Sequence, residues 1–170
     1  MFVQLSFNVY IFFKIKKYME AVCVITNGSV EGYIEFKKSK NNKTLINICL
    51  DNVPPGDHGF HIHRTGDLRE GCGSLCAHYN PYNCEHGGRF SKNRHVGDLG
   101  NITADKNGRI RKKIYDSLVK LTGKHNIIGR SVVIHAKRDD LGLGGDEESL
   151  ITGNAGKRIG CGVIGLCGKC

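Results

Sequence analysis

Several things are scarce in this chain of 170 residues. It has no tryptophan and only three prolines, against 23 glycines. Long helical patterns are hard to find. Short apolar runs separated by glycine and asparagine turns take their place, which favours an all-β domain. No apolar run is long enough for a confident membrane span. The stretch Met1–Phe13 is apolar but broken by Gln4, Ser6 and Asn8, and Lys14, Lys16 and Lys17 follow it. A secretory signal has the opposite order. No CxxC…CxxC zinc pattern is present. Eight cysteines are many for this length, yet too few for a small disulfide scaffold. No internal repeat is found.

Acidic residues are also in the minority, 16 against 25 basic ones, for a formal net charge of +9. The basic residues are scattered, as in Lys37-Lys38, Arg109 to Lys113 and Lys137-Arg138. No basic helix or aromatic-basic repeat appears, so no nucleic-acid partner is expected. The charge reads as solvated surface with a field that attracts a small anion.

Histidine is what the chain has in a concentrated form. Six of the eight fall between His58 and Asp98. His61 and His63 sit in a strand-like segment after the turn Val53-Pro54-Pro55-Gly56-Asp57. Residues two apart on a strand share a face, so these two imidazoles project together, with Ile62 opposite. His78, His86 and His95 follow in a long loop of turn formers, closed by Asp98. A loop of that length needs an anchor or a function. Imidazoles with one carboxylate suit zinc or copper, whereas magnesium and calcium prefer oxygen shells.

Further strands are expected at Glu20 to Thr26, Val30 to Lys38, Lys43 to Leu50, Gly100 to Ala104, Arg109 to Ile114, Arg130 to Lys137 and Arg158 to Leu166. Asn107-Gly108 marks a hairpin. A second loop, rich in glycine and acid, runs from Asp139 to Gly156. The expected architecture is all-β: an eight-stranded antiparallel Greek-key barrel or sandwich with two long functional loops. Residues 1–18 read as an N-terminal extension, either disordered or preceding a true start at Met19, and residues 19–170 as the domain. Cys23 and Cys49 read as buried small hydrophobes.

Gly59-Phe60-His61-Ile62-His63, His86-Gly87-Gly88, Arg94 to Asn101, Asp139-Asp140-Leu141-Gly142, Gly153 to Arg158 and Cys161 to Gly165 together resemble the copper/zinc superoxide dismutase family. The resemblance spans roughly residues 20 to 166. It implies an oxidoreductase for antioxidant defence. Two superoxide ions and two protons would become dioxygen and hydrogen peroxide, with copper cycling between Cu(II) and Cu(I). It places copper on His61, His63, His78 and His135, and zinc on His78, His86, His95 and Asp98, with His78 bridging. Arg158 would guide and dock the anion. Asp139 would link His61 to His86 from behind. Cys72 and Cys161 would form the intrasubunit disulfide. His58 would be structural and His125 exposed. The resemblance further implies a homodimer, leaves open copper delivery by a chaperone, and, with no clear export signal, points to the cytoplasm.

Some features depart from that pattern. Ile151 stands where the family usually has a lysine, which weakens local steering; Arg64, Arg89 and Lys92 are candidates to offset it. Thr65 replaces a common aromatic at the dimer contact. Cys76 and Cys84 bracket His78 and are open to two readings, a second disulfide or free thiols. Cys167-Gly168-Lys169-Cys170 suits either copper capture or exposed tail thiols, and a copper-delivery protein is the rival to the enzyme. A basic anion- or nucleic-acid-binding β domain leaves the ligand set unexplained.

Overall fold

The structure, a computed structural model, describes residues 20–168. The expected N-terminal extension, Met19, and Lys169 and Cys170 of the terminal CxxC lie outside the described residues.

Among the described residues there are nine strands: β1 Glu20–Ile25, β2 Asn27–Gly28, β3 Glu31–Lys38, β4 Thr44–Asp51, β5 Gly56–His63, β6 Asp98–Ala104, β7 Ile110–Asp116, β8 Ser131–His135 and β9 Arg158–Leu166. Eight are those expected from alternation. The ninth, β2, is a two-residue segment that pairs with β9, too short to show any period in sequence.

Alternation fixes which face is buried. In β4, Thr44, Ile46, Ile48 and Leu50 point inward. Ile34 and Phe36 of β3 do the same, as do Ile110 and Ile114 of β7. With Phe60, Ile62, Ile102, Val132 and Ile134 they fill one continuous core. The strands follow the order β6-β5-β8-β9-β1-β3-β4-β7, and every pairing is antiparallel. The β4–β5 and β6–β7 connections cross from one half to the other, which is the Greek-key arrangement of a nearly closed barrel.

Two long loops leave this barrel, one between β5 and β6 and one between β8 and β9. The first holds a 3-10 turn, Gly73–Leu75, and the second a four-residue helix, α1, Ser149–Thr152. The first loop returns across β5: Tyr79 donates its N–H to the Ile62 carbonyl at 2.8 Å, and Ile62 donates its own to the Gly97 carbonyl at 2.9 Å. A Cβ on Gly97 would overlap the Ile62 carbonyl oxygen, so only glycine permits that approach.

Candidate metal centre

The strand pair and the loop meet where the sequence suggested. β5 supplies His61 and His63, the end of β8 supplies His135, and β6 begins at Asp98. The first loop brings His78, His86 and His95. His78 is fixed by a backbone bridge to His63. One ligand atom from each of His61, His63, His78 and His135 lies within 4.8 Å of the others, and so does one from each of His78, His86, His95 and Asp98. His78 belongs to both sets. All seven residues are at most 5% exposed.

Five of the six rings are held from behind through one nitrogen. His63 Nδ1 faces the Cys76 carbonyl at 2.8 Å, His135 Nδ1 the Gly156 carbonyl at 2.9 Å, and His95 Nε2 the Cys84 carbonyl at 3.0 Å. Asp139 holds two rings at once: Oδ2 accepts from His61 Nε2 and Oδ1 from His86 Nε2, both at 2.8 Å. Such partners behind an imidazole fix its orientation and tautomer. The opposite nitrogens, His61 Nδ1 and His86 Nδ1, are buried without a hydrogen-bond partner. His86 Nδ1 does lie 3.1 Å from Asp98 Oδ1, without forming a hydrogen bond. Buried ring nitrogens left bare cost free energy, and here they face a ring of other donors. A cation in each set would satisfy them. His61, His86 and Asp139 also cluster, but both Asp139 oxygens already accept from those rings, which marks a support and not a third site.

Three Nδ1 atoms converge on one oxygen, Asp98 Oδ1: His78 at 2.9 Å, His86 at 3.1 Å and His95 at 3.0 Å. Burial raises the Asp98 pKa, but the surrounding histidines outweigh it and hold the carboxyl far below the carboxylate range. Asp139 is likewise lowered against burial by His61 and His86. Burial and neighbouring rings lower His61, His63 and His78. His135 is lowered to about 4, chiefly by burial. His86 goes the other way: burial opposes it, yet Asp139 and Asp98 raise it to about 9. Neutral imidazoles and ionised carboxylates are the forms that bind metal.

The second loop closes over this cluster. Gly153 ends α1 with φ 67°, and a Cβ there would overlap Asp139 Oδ1 and His86 Nε2. Outside the rings lies a cleft of about 550 Å³ whose walls include His63, His135, Lys137, Glu148, Ile151, Lys157 and Arg158. The Arg158 guanidinium donates to the carbonyls of Cys72 at 2.5 Å and Cys76 at 2.6 Å. Cys72 is in turn bonded to Cys161, so the disulfide loop sets the arginine's position. Cys76 and Cys84 are free thiols.

His125 and Cys49 differ from expectation, the first less exposed and the second less buried. Arg64, Arg89 and Lys92 do not line the cleft; Lys137 and Lys157 do. Arg89 is engaged with the Tyr115 carbonyl and stacks on Phe90. His125 is half-buried, edge-on to Tyr82 at 5.1 Å. Cys49 is half-buried on the outer face, between Tyr33 and Arg111 in register. His58 is scaffold: its ring nitrogens lie 2.8 Å from the His135 carbonyl and 2.7 Å from that of Pro54.

Two supports were not singled out from the sequence. Arg94 is buried and donates to Asp116 at 2.6 Å and to the Asp98 carbonyl at 2.7 Å. Its signals were its place directly before His95 and at the head of the stretch Arg94 to Asn101. Asn101 brackets the Asp139 backbone, donating to its carbonyl and accepting from its N–H, both at 2.8 Å.

A barrel carrying two buried ligand sets that have His78 in common has the form of a metalloprotein able to hold two neighbouring ions. Comparison with known proteins makes this specific. The family model "Copper/zinc superoxide dismutase (SODC)" matches residues 30–164. The chain is 55% identical over 152 residues to a superoxide dismutase [Cu-Zn] of Paramecium bursaria Chlorella virus 1, covering 89% of this chain and 80% of the relative. It is 48% identical to superoxide dismutase [Cu-Zn] 5 of Dictyostelium discoideum, covering 87% of this chain and 98% of the relative. Superoxide dismutase [Cu-Zn] A of Xenopus laevis is 47% identical, with 88% and 99% covered. The crystal structure of the clock protein EA4 matches with a TM-score of 0.84 at 42% identity, covering 87% of this chain and 94% of that one. The chain belongs to the copper/zinc superoxide dismutase family, oxidoreductases that use copper and zinc to disproportionate superoxide.

Proposed function

We propose that this chain performs the family reaction with copper held by His61, His63, His78 and His135 and zinc held by His78, His86, His95 and Asp98. The observation that carries this assignment is the pair of bare buried nitrogens, His61 Nδ1 and His86 Nδ1, lying opposite the Nε2 atoms tied to Asp139. When bound, copper supplies one-electron exchange between Cu(II) and Cu(I), and zinc a fixed positive charge. The protein residues do the rest. His78 turns Nδ1 towards Asp98, on the zinc side, so Nε2 is the atom that would face the copper set and could hold a proton there. Histidine is the side chain that can alternate between ligand and proton carrier near neutral pH.

Arg158 docks superoxide in the cleft beside His63 and His135. Lys157 and Lys137 supply attraction at its walls, in place of the charge that Ile151 lacks, and Glu148 limits it. The Cys72–Cys161 disulfide holds the arginine's carbonyl anchors. Homodimerisation is supported by exposed Val24 and Leu166 on adjoining strands β1 and β9. A cytoplasmic location is supported by five free thiols among the described residues, since an oxidising compartment tends to pair them. Among the described residues no helix is long and apolar enough to cross a membrane. Copper delivery by a chaperone remains part of the reading through the family alone.

The test is superoxide consumption by chain loaded with copper and zinc, beside His135→Ala. Fast turnover, lost in the variant while zinc content stays at one per chain, is expected. Metal binding without turnover in the unaltered chain overturns the reading in favour of copper delivery.

A further inference from the structure

A second concavity lies between the β3–β4 turn and residues 120–122. It holds about 240 Å³ and shares no lining residue with the metal cleft. Lys38, Lys43 and Lys120 line it, with Asn42, Thr44 and Thr122, and no carboxylate does. Among the described residues Lys37 pairs with Glu20 and Glu35, but none of the three cavity lysines has a carboxylate partner.

The walls are tied together. Thr44 is buried, and its Oγ1 donates to the Val119 carbonyl at 2.7 Å. The Lys120 ammonium donates to the Asn42 carbonyl across the mouth. Asp116 Oδ1 accepts from the N–H groups of Leu118 at 2.7 Å and Val119 at 2.9 Å. Ile127 N–H donates to the Lys120 carbonyl at 3.0 Å. These bonds fix the wall that carries Lys120, and Lys38 and Lys43 flank it at the ends of β3 and β4.

Like charges around one concavity repel, and a concave wall focuses their field. An anion seated there relieves that repulsion. A single small charge would neutralise a third of the ring; a dianion with several acceptor oxygens neutralises more and can meet lysine and threonine donors together. We propose that this cavity binds a phosphate group, free or carried on a small ester.

The test is an NMR titration of the full chain, loaded with zinc and reduced copper, with inorganic phosphate in one arm and glycerol phosphate in the other. Saturable amide shifts are expected at Lys43, Thr44, Lys120, Leu121 and Thr122. In Lys38→Gln/Lys43→Gln, which keeps the Lys120 bond to Asn42, affinity should fall roughly tenfold. Lys112→Gln/Lys113→Gln removes equal charge from β7 and should leave it unchanged. Equal affinity in both arms identifies free phosphate as sufficient, and tighter ester binding identifies a carried group. Absence of saturable shifts at these amides in both arms, or equal losses in the two variants, overturns the proposal. Shifts at Lys157 and Arg158 report the metal cleft separately.

Discussion

Asp139 holds both ion sets through its two oxygens. In Asp139→Asn one of those oxygens becomes an N–H donor facing a donor ring nitrogen, so one histidine loses its tautomer. Metal affinity should fall about 10–100-fold, the usual range for such supports; chelator competition measures it, and unaltered affinity for both metals contradicts the account. Lys157 makes a separate prediction. Lys157→Gln should lower kcat/KM several-fold at low ionic strength and flatten its salt dependence, because exposed charges act at long range only when unscreened. An unchanged salt slope would remove Lys157 from steering. The His61–His63 pair was legible because strand period places i and i+2 together. The role of Lys157 was not, because nothing local shows which wall of a loop faces a cleft.

Among elements, the first loop is the one with most to lose. It is held at Cys72–Cys161, with a sequence separation of 89, and at the buried Arg94–Asp116 pair. The chain-entropy model gives the disulfide about 4–5 kcal/mol. Removing one partner of a buried ion pair strands the other, at about 3–5 kcal/mol. Asp116→Asn should therefore lower the melting temperature sharply and loosen zinc first, since Arg94 also holds the Asp98 carbonyl. Calorimetry with zinc release checks this; an unshifted melt contradicts it. The eight long strands were readable from alternation and turn residues. β2 and α1 were not, being short segments that exist through contact with β9 and with the second loop. Arg94 and Asp116 are 22 residues apart, a spacing with no local pattern.

At the scale of the whole molecule, the buried histidines link stability to pH. Unfolded rings titrate near 6.5, while His135 sits at about 4 and His61, His63 and His78 are also lowered. Below pH 6.5 the unfolded chain takes up protons that the folded chain refuses, so stability falls as pH drops towards 4. His86, raised to about 9, acts in the opposite sense: its contribution is complete below 6.5 and fades as pH rises through 9. Between pH 6.5 and 4 the His86 contribution is constant, and the four lowered rings set the slope. The urea midpoint of metal-free protein should decline from pH 6.5 to 4; a flat or rising midpoint contradicts the assignment.

The central claim is that one imidazole, His78, belongs to both ion sets. Loading the copper set with Cu(II) and the zinc set with Co(II), then recording the electron paramagnetic resonance of copper, tests it most directly. If the His78 ring joins the two ions, their spins couple through it and the copper signal is suppressed. A copper signal of full intensity, with cobalt bound in the same molecule, would mean that the two sets share no ligand.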